Sequence, residues 1–144
     1  MVMKGSVIGI LSGIILGALL KWFEAVTSVK IYTLLLNVDF IPIVGNYIWP
    51  EWIEFIFHLI ISIIIGIIFL VILNKIGNTV KNQFFVAFAL TIPTIFLYFP
   101  LAALAIKDVP APLNGFAFTL WTIGHLGYAL SIPLVCWLLD KRTT

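Results

Sequence analysis

The sequence predicts an all-α fold, a bundle of four transmembrane helices that forms a single domain over residues 1–144. Of its residues, 62% are hydrophobic and only 10% are charged, and the mean hydropathy is +1.20. Soluble domains hold roughly 45–50% apolar and 25% charged residues. Four apolar runs reach the about 20 residues that a helix needs to cross a bilayer. Residues 60–73 are almost entirely apolar, whereas barrel strands alternate in polarity.

The four predicted helices cover residues 5–23, 52–73, 84–106 and 113–139. Pro50 precedes the second helix, where a proline is pre-set for the first helical turn. The charged run that starts at Asp140 ends the fourth helix. Pro93 and Pro100 in the third helix and Pro133 in the fourth each remove a backbone hydrogen bond, and such positions kink helices.

The segment at residues 31–49, between the first two helices, is apolar but interrupted by Asp39, Pro42 and Gly45. It is too broken for a fifth span. We expect an interfacial helix or hairpin that lies on the bilayer. A re-entrant loop is the alternative, although irregular backbone at membrane depth needs protein cover.

Lysine and arginine are distributed unevenly between the two sides of the predicted bundle. One side holds Lys4, Lys75, Lys81, Lys141 and Arg142, and the other holds Lys21, Lys30 and Lys107. Because short cytoplasmic loops are enriched in these residues, both termini are expected in the cytoplasm. The opposite side is acidic, with Glu24, Asp39, Glu51, Glu54 and Asp108.

Glycines recur at every fourth position of the first helix: Gly5, Gly9, Gly13 and Gly17. Residues at this spacing share one helix face, and a face without side chains lets another backbone approach closely. We expect it to pack against another helix of the same chain. A homodimer seam, or a contact within a larger membrane complex, is the alternative.

The other three helices each carry a stripe of polar residues at helical spacing, and we expect all three stripes to face a common centre. The predicted intramembrane site comprises Glu54, His58 and Ser62 of the second helix, Thr94 and Tyr98 of the third, and Thr122 and His125 of the fourth. Ionisable groups within a membrane are costly and are the default functional candidates.

Histidine titrates near neutral pH, so Glu54, His58 and His125 could relay protons or ions. The same three residues are candidate ligands for a metal, and two histidines on neighbouring helices can ligate haem iron. The cofactor therefore stays open. Their different depths, about 9 Å apart at about 1.5 Å per residue, disfavour simple haem ligation. The plain alternative is that each histidine hydrogen-bonds across helices, and His58 is the expected partner of Glu54.

Several classes of function are excluded or disfavoured. Cys136 is the single cysteine and the net charge is only +2, so the sequence predicts no intramolecular disulfide and no nucleic-acid partner. The expected partner is the lipid bilayer. No HExxH, no paired Ser/His/Asp arrangement and no phosphate-binding loop is present, which favours a non-enzymatic role.

Short motifs along most of the chain resemble the YagU-like family of bacterial inner-membrane proteins. They are residues 21–24, KWFE, after the glycine-rich helix; His58 with the following Ile-rich run and Ser62; Phe99–Leu101 before a proline-containing loop; and Gly124–Leu126. The loop between the first two helices is shorter than that family's and lacks its paired-proline, arginine-containing segment. The resemblance implies a four-helix protein of the bacterial inner membrane, with a link to acid tolerance.

Overall fold

The computed structural model describes residues 1–141, and these residues form six α-helices and no β-strand. The helices are α1 (Val2–Thr27), α2 (Ile31–Leu35), α3 (Glu51–Ile76), α4 (Val80–Phe96), α5 (Tyr98–Leu104) and α6 (Gly115–Lys141). Arg142, which the charge count above includes, lies outside the described residues. Four spans are long and apolar enough to cross a membrane: α1, α3, α4 together with α5, and α6. The predicted fold class is confirmed.

Local chemistry explains where the spans begin, end and break. The α6 helix begins after Asn114, whose side-chain oxygen accepts a hydrogen bond from the Ala117 amide at 3.0 Å, a typical N-cap. The third span was predicted as one helix, but it breaks at Leu97. Pro100 explains the break. Its ring clashes with the carbonyl of Phe96, four positions earlier, and proline has no N–H to donate to that carbonyl.

Helix α6 lies at the centre of the bundle: half of its most apolar stretch is buried, against 28% for α3. Helix α1 packs along both α3 and α6, and α4 packs on α6, whereas α3 and α4 touch less extensively. Lys4 and Asp140 form an ion pair of 2.5 Å between α1 and α6. We call the end that holds Lys4, Lys75 and Lys81 the basic end, and the end that holds Glu51, Glu54 and Lys107 the acidic end.

The glycine face of α1 is occupied within the chain, by α3. A methyl group on Gly9 would lie 2.4 Å from the Ser62 carbonyl oxygen, and one on Gly66 of α3 would lie 2.3 Å from the Gly5 carbonyl oxygen. Gly13 faces Ser62, and Gly17 faces the ring of Phe55. The two backbones therefore meet as the small-residue spacing predicts, and this face is not free for a second copy of the chain.

The segment between α1 and α3 covers the acidic end of the bundle. Its first half is packed against the helices: Ile31 and Leu34 of α2 are fully buried, and Asn37 and Val38 are almost fully buried. Its second half is more open, and Ile48 is fully exposed. The segment thus caps one end of the four spans, and its interfacial position stays a prediction.

Candidate functional site

A cavity of about 370 Å³ lies between α3, the α4–α5 break and α6, beneath the loop that follows α2. Its walls are mostly apolar. The polar side chains that line it in the described part of the chain are Asn37, Glu54, His58, Ser62, Thr94, Trp121, His125 and Tyr128. This combination of apolar walls with a few convergent polar groups is typical of small-molecule sites.

The cavity opens sideways, between α3 and the third span. Ile60 and Ile61 of α3 and Leu97 at the α4–α5 break all line the cavity and are 46%, 56% and 48% exposed. Phe40, in the loop after α2, also lines it and is 44% exposed, so the opening extends to that loop. Ile61 is ten residues into α3, which at 1.5 Å per residue places it roughly 15 Å from the start of the helix. The mouth therefore faces the region that lipid chains would occupy.

Five of the seven predicted site residues line this cavity: Glu54, His58, Ser62, Thr94 and His125. Residues from α3, α4 and α6 thus line one cavity. Tyr98 and Thr122 are not among the lining residues. Tyr98 is fully buried, and its hydroxyl donates to the carbonyl of Ala111, at 3.0 Å, in the loop before α6. The Thr122 hydroxyl donates to the Phe118 carbonyl of its own helix at 2.8 Å.

Glu54 is paired with Lys107, in the loop between α5 and α6, and not with His58. The Glu54 side chain is only 8% exposed and that of Lys107 is 32% exposed. The Asp39 carboxylate fixes this loop by accepting hydrogen bonds from the Ile106 and Lys107 amides at 2.8 and 3.0 Å. A charge on the loop therefore neutralises the buried carboxylate.

Each histidine of the cavity bonds a backbone carbonyl. His58 Nε2 lies 3.1 Å from the Gly13 oxygen of α1, and His125 Nδ1 lies 2.9 Å from the Trp121 oxygen one turn earlier on α6. Between them, the Ser62 hydroxyl donates to the Gly9 carbonyl at 2.7 Å and lies 2.8 Å from the Tyr128 hydroxyl. Because the Ser62 hydroxyl donates its one proton to the Gly9 carbonyl, the Tyr128 hydroxyl is the donor in its bond to Ser62.

A second cavity, of about 420 Å³, lies at the acidic end and is lined by charged and polar groups. Lys21 pairs with Glu51 at 2.5 Å, and the Tyr32 hydroxyl donates to the same carboxylate at 3.0 Å. Burial, and then the bond to Glu51, raise the pKa of Tyr32 above its ordinary value. Glu54 lines both cavities, so its pair with Lys107 stands at the boundary between them.

No group of three or more His, Cys, Asp or Glu side chains among residues 1–141 is arranged to hold a metal ion. Glu54, His58 and His125 share a cavity without forming such a cluster. Sequence reasoning also missed Asn37, which is 3% exposed and joins the site from the α2 loop. Its one signal was a polar residue inside the apolar run of residues 34–38, LLLNV.

The fold and the cavity define a class: the chain is a multi-pass membrane protein with four spanning helices. No family model, no curated protein and no solved structure matches it. The resemblance to YagU-like proteins therefore stays a prediction.

Proposed function

We propose that this protein binds an amphipathic small molecule, taken from the bilayer, in the mostly apolar cavity between α3 and the third span. The observation that carries the proposal is the sideways mouth at Ile60, Ile61 and Leu97, which leads from the lipid-facing surface to Glu54 and His58. A ligand would leave its apolar chain near the mouth and place its polar end against the inner wall.

The size of the cavity supports a small ligand. Its volume of about 370 Å³ lies near the lower end of the about 300–1,000 Å³ that ligand pockets occupy. That space suits one alkyl chain with a compact head better than a two-chain phospholipid.

We further propose that the protein resides in a bacterial inner membrane with its basic end, and so both termini, in the cytoplasm. The support is the charge distribution, because cytoplasmic loops are enriched in lysine and arginine. The acidic end, with the second cavity, would then face the outside. A cysteine introduced at Asn78, in the turn between α3 and α4, should be labelled by a membrane-impermeant maleimide only after the cells are opened.

Native mass spectrometry of the protein released from nanodiscs tests the ligand proposal. We expect one amphiphile bound per chain, and we expect Ile61→Trp, which fills the mouth, to lose it. Ile64→Trp is the matched control, because Ile64 is 47% exposed on the same helix but does not line the cavity. An Ile61→Trp protein that keeps its ligand, or a wild-type protein that carries none, contradicts the proposal.

A second candidate is proton or ion handling linked to acid tolerance, and the observation that favours it is that Glu54, His58 and His125 line one cavity. It ranks second because the residues that α3 buries beyond Ser62, towards the basic end, are Gly66, Phe69, Leu70 and Leu73, which carry no proton. Proton flux into liposomes that is unchanged in His58→Ala/His125→Ala would contradict it.

A further inference from the structure

Most hydrogen-bond donors among the polar side chains that line the cavity are already used; the exception is the Asn37 amide, which donates one of its two N–H groups to the Leu101 carbonyl at 3.2 Å. The hydroxyls of Ser62 and Thr94 donate to the carbonyls of Gly9 and Thr91 at 2.7 Å. Tyr128 donates to Ser62. The Trp121 indole donates to the Ile95 carbonyl at 3.1 Å. Each hydroxyl has one proton and the indole has one N–H, so none of these four groups has a donor left for a ligand.

The two histidines have an acceptor left. A carbonyl oxygen only accepts, so the proton lies on Nε2 of His58, which bonds Gly13, and on Nδ1 of His125, which bonds Trp121. In the uncharged ring the other nitrogen then carries a lone pair. Among residues 1–141 neither histidine forms an ion pair with a carboxylate, so no acidic partner holds a second proton on either ring.

The remaining nitrogens are Nδ1 of His58 and Nε2 of His125, and each keeps some accessible surface, because neither is among the fully buried atoms without a partner in the described chain. Neither has a hydrogen-bond partner, and the fully buried side-chain polar atom without a partner in the described chain is Ser12 Oγ, not a histidine nitrogen. His125 is only 3% exposed in total, and both rings line the cavity. A ligand in the cavity could therefore reach these free nitrogens.

The charged groups at the cavity also disfavour an anionic ligand. Glu54 is the charged side chain that lines the cavity in the described residues, and no lysine or arginine lines it. The ammonium of Lys107 is paired with Glu54 and is therefore not a free cation for a ligand. A carboxylate or phosphate head would lose its hydration without gaining an unpaired cation, and the free histidine nitrogens would offer it lone pairs instead of donors.

We infer that the ligand is an alkyl amphiphile whose polar end is a hydrogen-bond donor, and that the free nitrogens of His58 and His125 are the acceptors: a hydroxyl donates its one proton to one of them, and an amine can donate to both. The inference rests on the proposed function, since it names the ligand class of the same cavity. Such a site would disfavour fatty acids and phosphorylated lipids, whose heads are anionic at neutral pH.

Equilibrium binding of three labelled probes to the protein in nanodiscs tests this assignment, with empty nanodiscs as background. The probes are 1-dodecanol, dodecyl methyl ether and dodecanoate. The alcohol and the ether share the chain and an oxygen, but only the alcohol donates. We expect the alcohol to bind at least about fivefold more tightly than the ether, the effect of one hydrogen bond, and dodecanoate to bind more weakly than the alcohol.

Variants tie the preference to the ring nitrogens. His58→Phe and His125→Phe together should remove the preference of the alcohol over the ether, and His58→Gln and His125→Gln together, which retain acceptors, should keep part of it. Thr122→Val is the control on the helix of His125, because the Thr122 hydroxyl bonds its own helix, and it should change nothing. Unfolding midpoints check that each variant is folded.

The outcomes separate this inference from the proposed function. If the alcohol and the ether bind equally, or if dodecanoate binds most tightly, the donor assignment is wrong while ligand binding stands. If no probe binds saturably and Ile61→Trp behaves as wild type does, the proposed function itself is wrong. A preference that survives His125→Phe and His58→Phe together also overturns the assignment.

Discussion

The ammonium of Lys107 pairs with the carboxylate of Glu54 at the boundary between the charged cavity of the acidic end and the apolar cavity that opens sideways. The two residues are 53 positions apart in the chain. Asp39 holds the loop of Lys107 through two backbone amides. The pair is thus assembled from three separate segments, and it closes the polar end of the cavity.

Removing Lys107 should cost more stability than removing the charge of Glu54. Lys107→Met leaves a carboxylate that is 8% exposed without its cation, which we expect to cost about 2 kcal/mol. Glu54→Gln leaves an ammonium that can turn to water, and it should cost less than about 1 kcal/mol. Unfolding in mixed micelles measures both values.

The matched control for this pair is Lys30→Met. Lys30 pairs with Asp108 at 2.5 Å, but both side chains are well exposed, 47% and 86%. Exposed pairs contribute little, so the change should stay within about 0.5 kcal/mol. Equal losses for Lys107→Met and Lys30→Met would show that the burial of Glu54 has no energetic consequence.

Gly9→Ala should destabilise the bundle by about 2 kcal/mol. The added methyl group would lie 2.4 Å from the Ser62 carbonyl oxygen and 2.5 Å from the Ile63 Cα, and backbone atoms can yield only if α1 and α3 separate. Gly115→Ala, where nothing lies within 4 Å, should be neutral or slightly stabilising. Similar midpoints for the two variants would contradict the close packing of α1 on α3.

Tyr128→Phe should cost about 0.6 kcal/mol, which is typical of a hydrogen bond between membrane helices. Ser62→Ala should cost more, because Ser62 joins both Gly9 of α1 and Tyr128 of α6 to α3. The double variant should cost less than the sum of the two single ones, since they share a bond. Strict additivity of the unfolding free energies would exclude the shared bond.

The sequence predicted the spans well because they depend on local properties. Runs of apolar residues and the glycine spacing of α1 are readable without knowledge of the tertiary fold, and the structure confirms four spans and the contact of Gly9 with α3. The break at Leu97 was missed, although Pro100 carried its signal.

The polar site was only partly predictable, because helical spacing gives a face but not a partner. Glu54 was expected to bond His58, yet its partner is Lys107, in a distant loop whose position depends on Asp39. Tyr98 shares a face with Thr94 in the sequence, but the break at Leu97 starts a new helix and Tyr98 reaches the Ala111 carbonyl instead. Such long-range placement is set by packing between helices, which periodicity does not encode.

Tyr32 should ionise only at unusually high pH. Burial raises its pKa, and the bond to the Glu51 carboxylate raises it further. Because the folded state favours the neutral phenol, this contribution to stability is full below about pH 10, the ordinary value, and is lost as the pH rises through the folded-state value. The absorbance at 295 nm, compared between wild type and Tyr32→Phe, measures the ionisation.

Glu51→Gln should lower the pKa of Tyr32 part of the way towards its ordinary value, because burial remains while the carboxylate charge is gone. An unchanged titration in Glu51→Gln would show that the bond to Glu51 does not contribute.

Polar contacts beside the cavity between α3 and the third span occur at two points, one at each end of α3. At the basic end, the side-chain amide of Asn82 donates to the Ile76 carbonyl at 2.9 Å, and at the acidic end Lys107 pairs with Glu54. Between these points no hydrogen bond or ion pair among the described residues joins α3 to α4 or α5. The first link involves a backbone carbonyl beside a short turn, whereas the second joins two side chains. The contact of α3 with the third span therefore depends on apolar packing between these two points, and it is α6, through packing on α4 and the bond from Trp121 to the Ile95 carbonyl, that anchors the third span in the bundle.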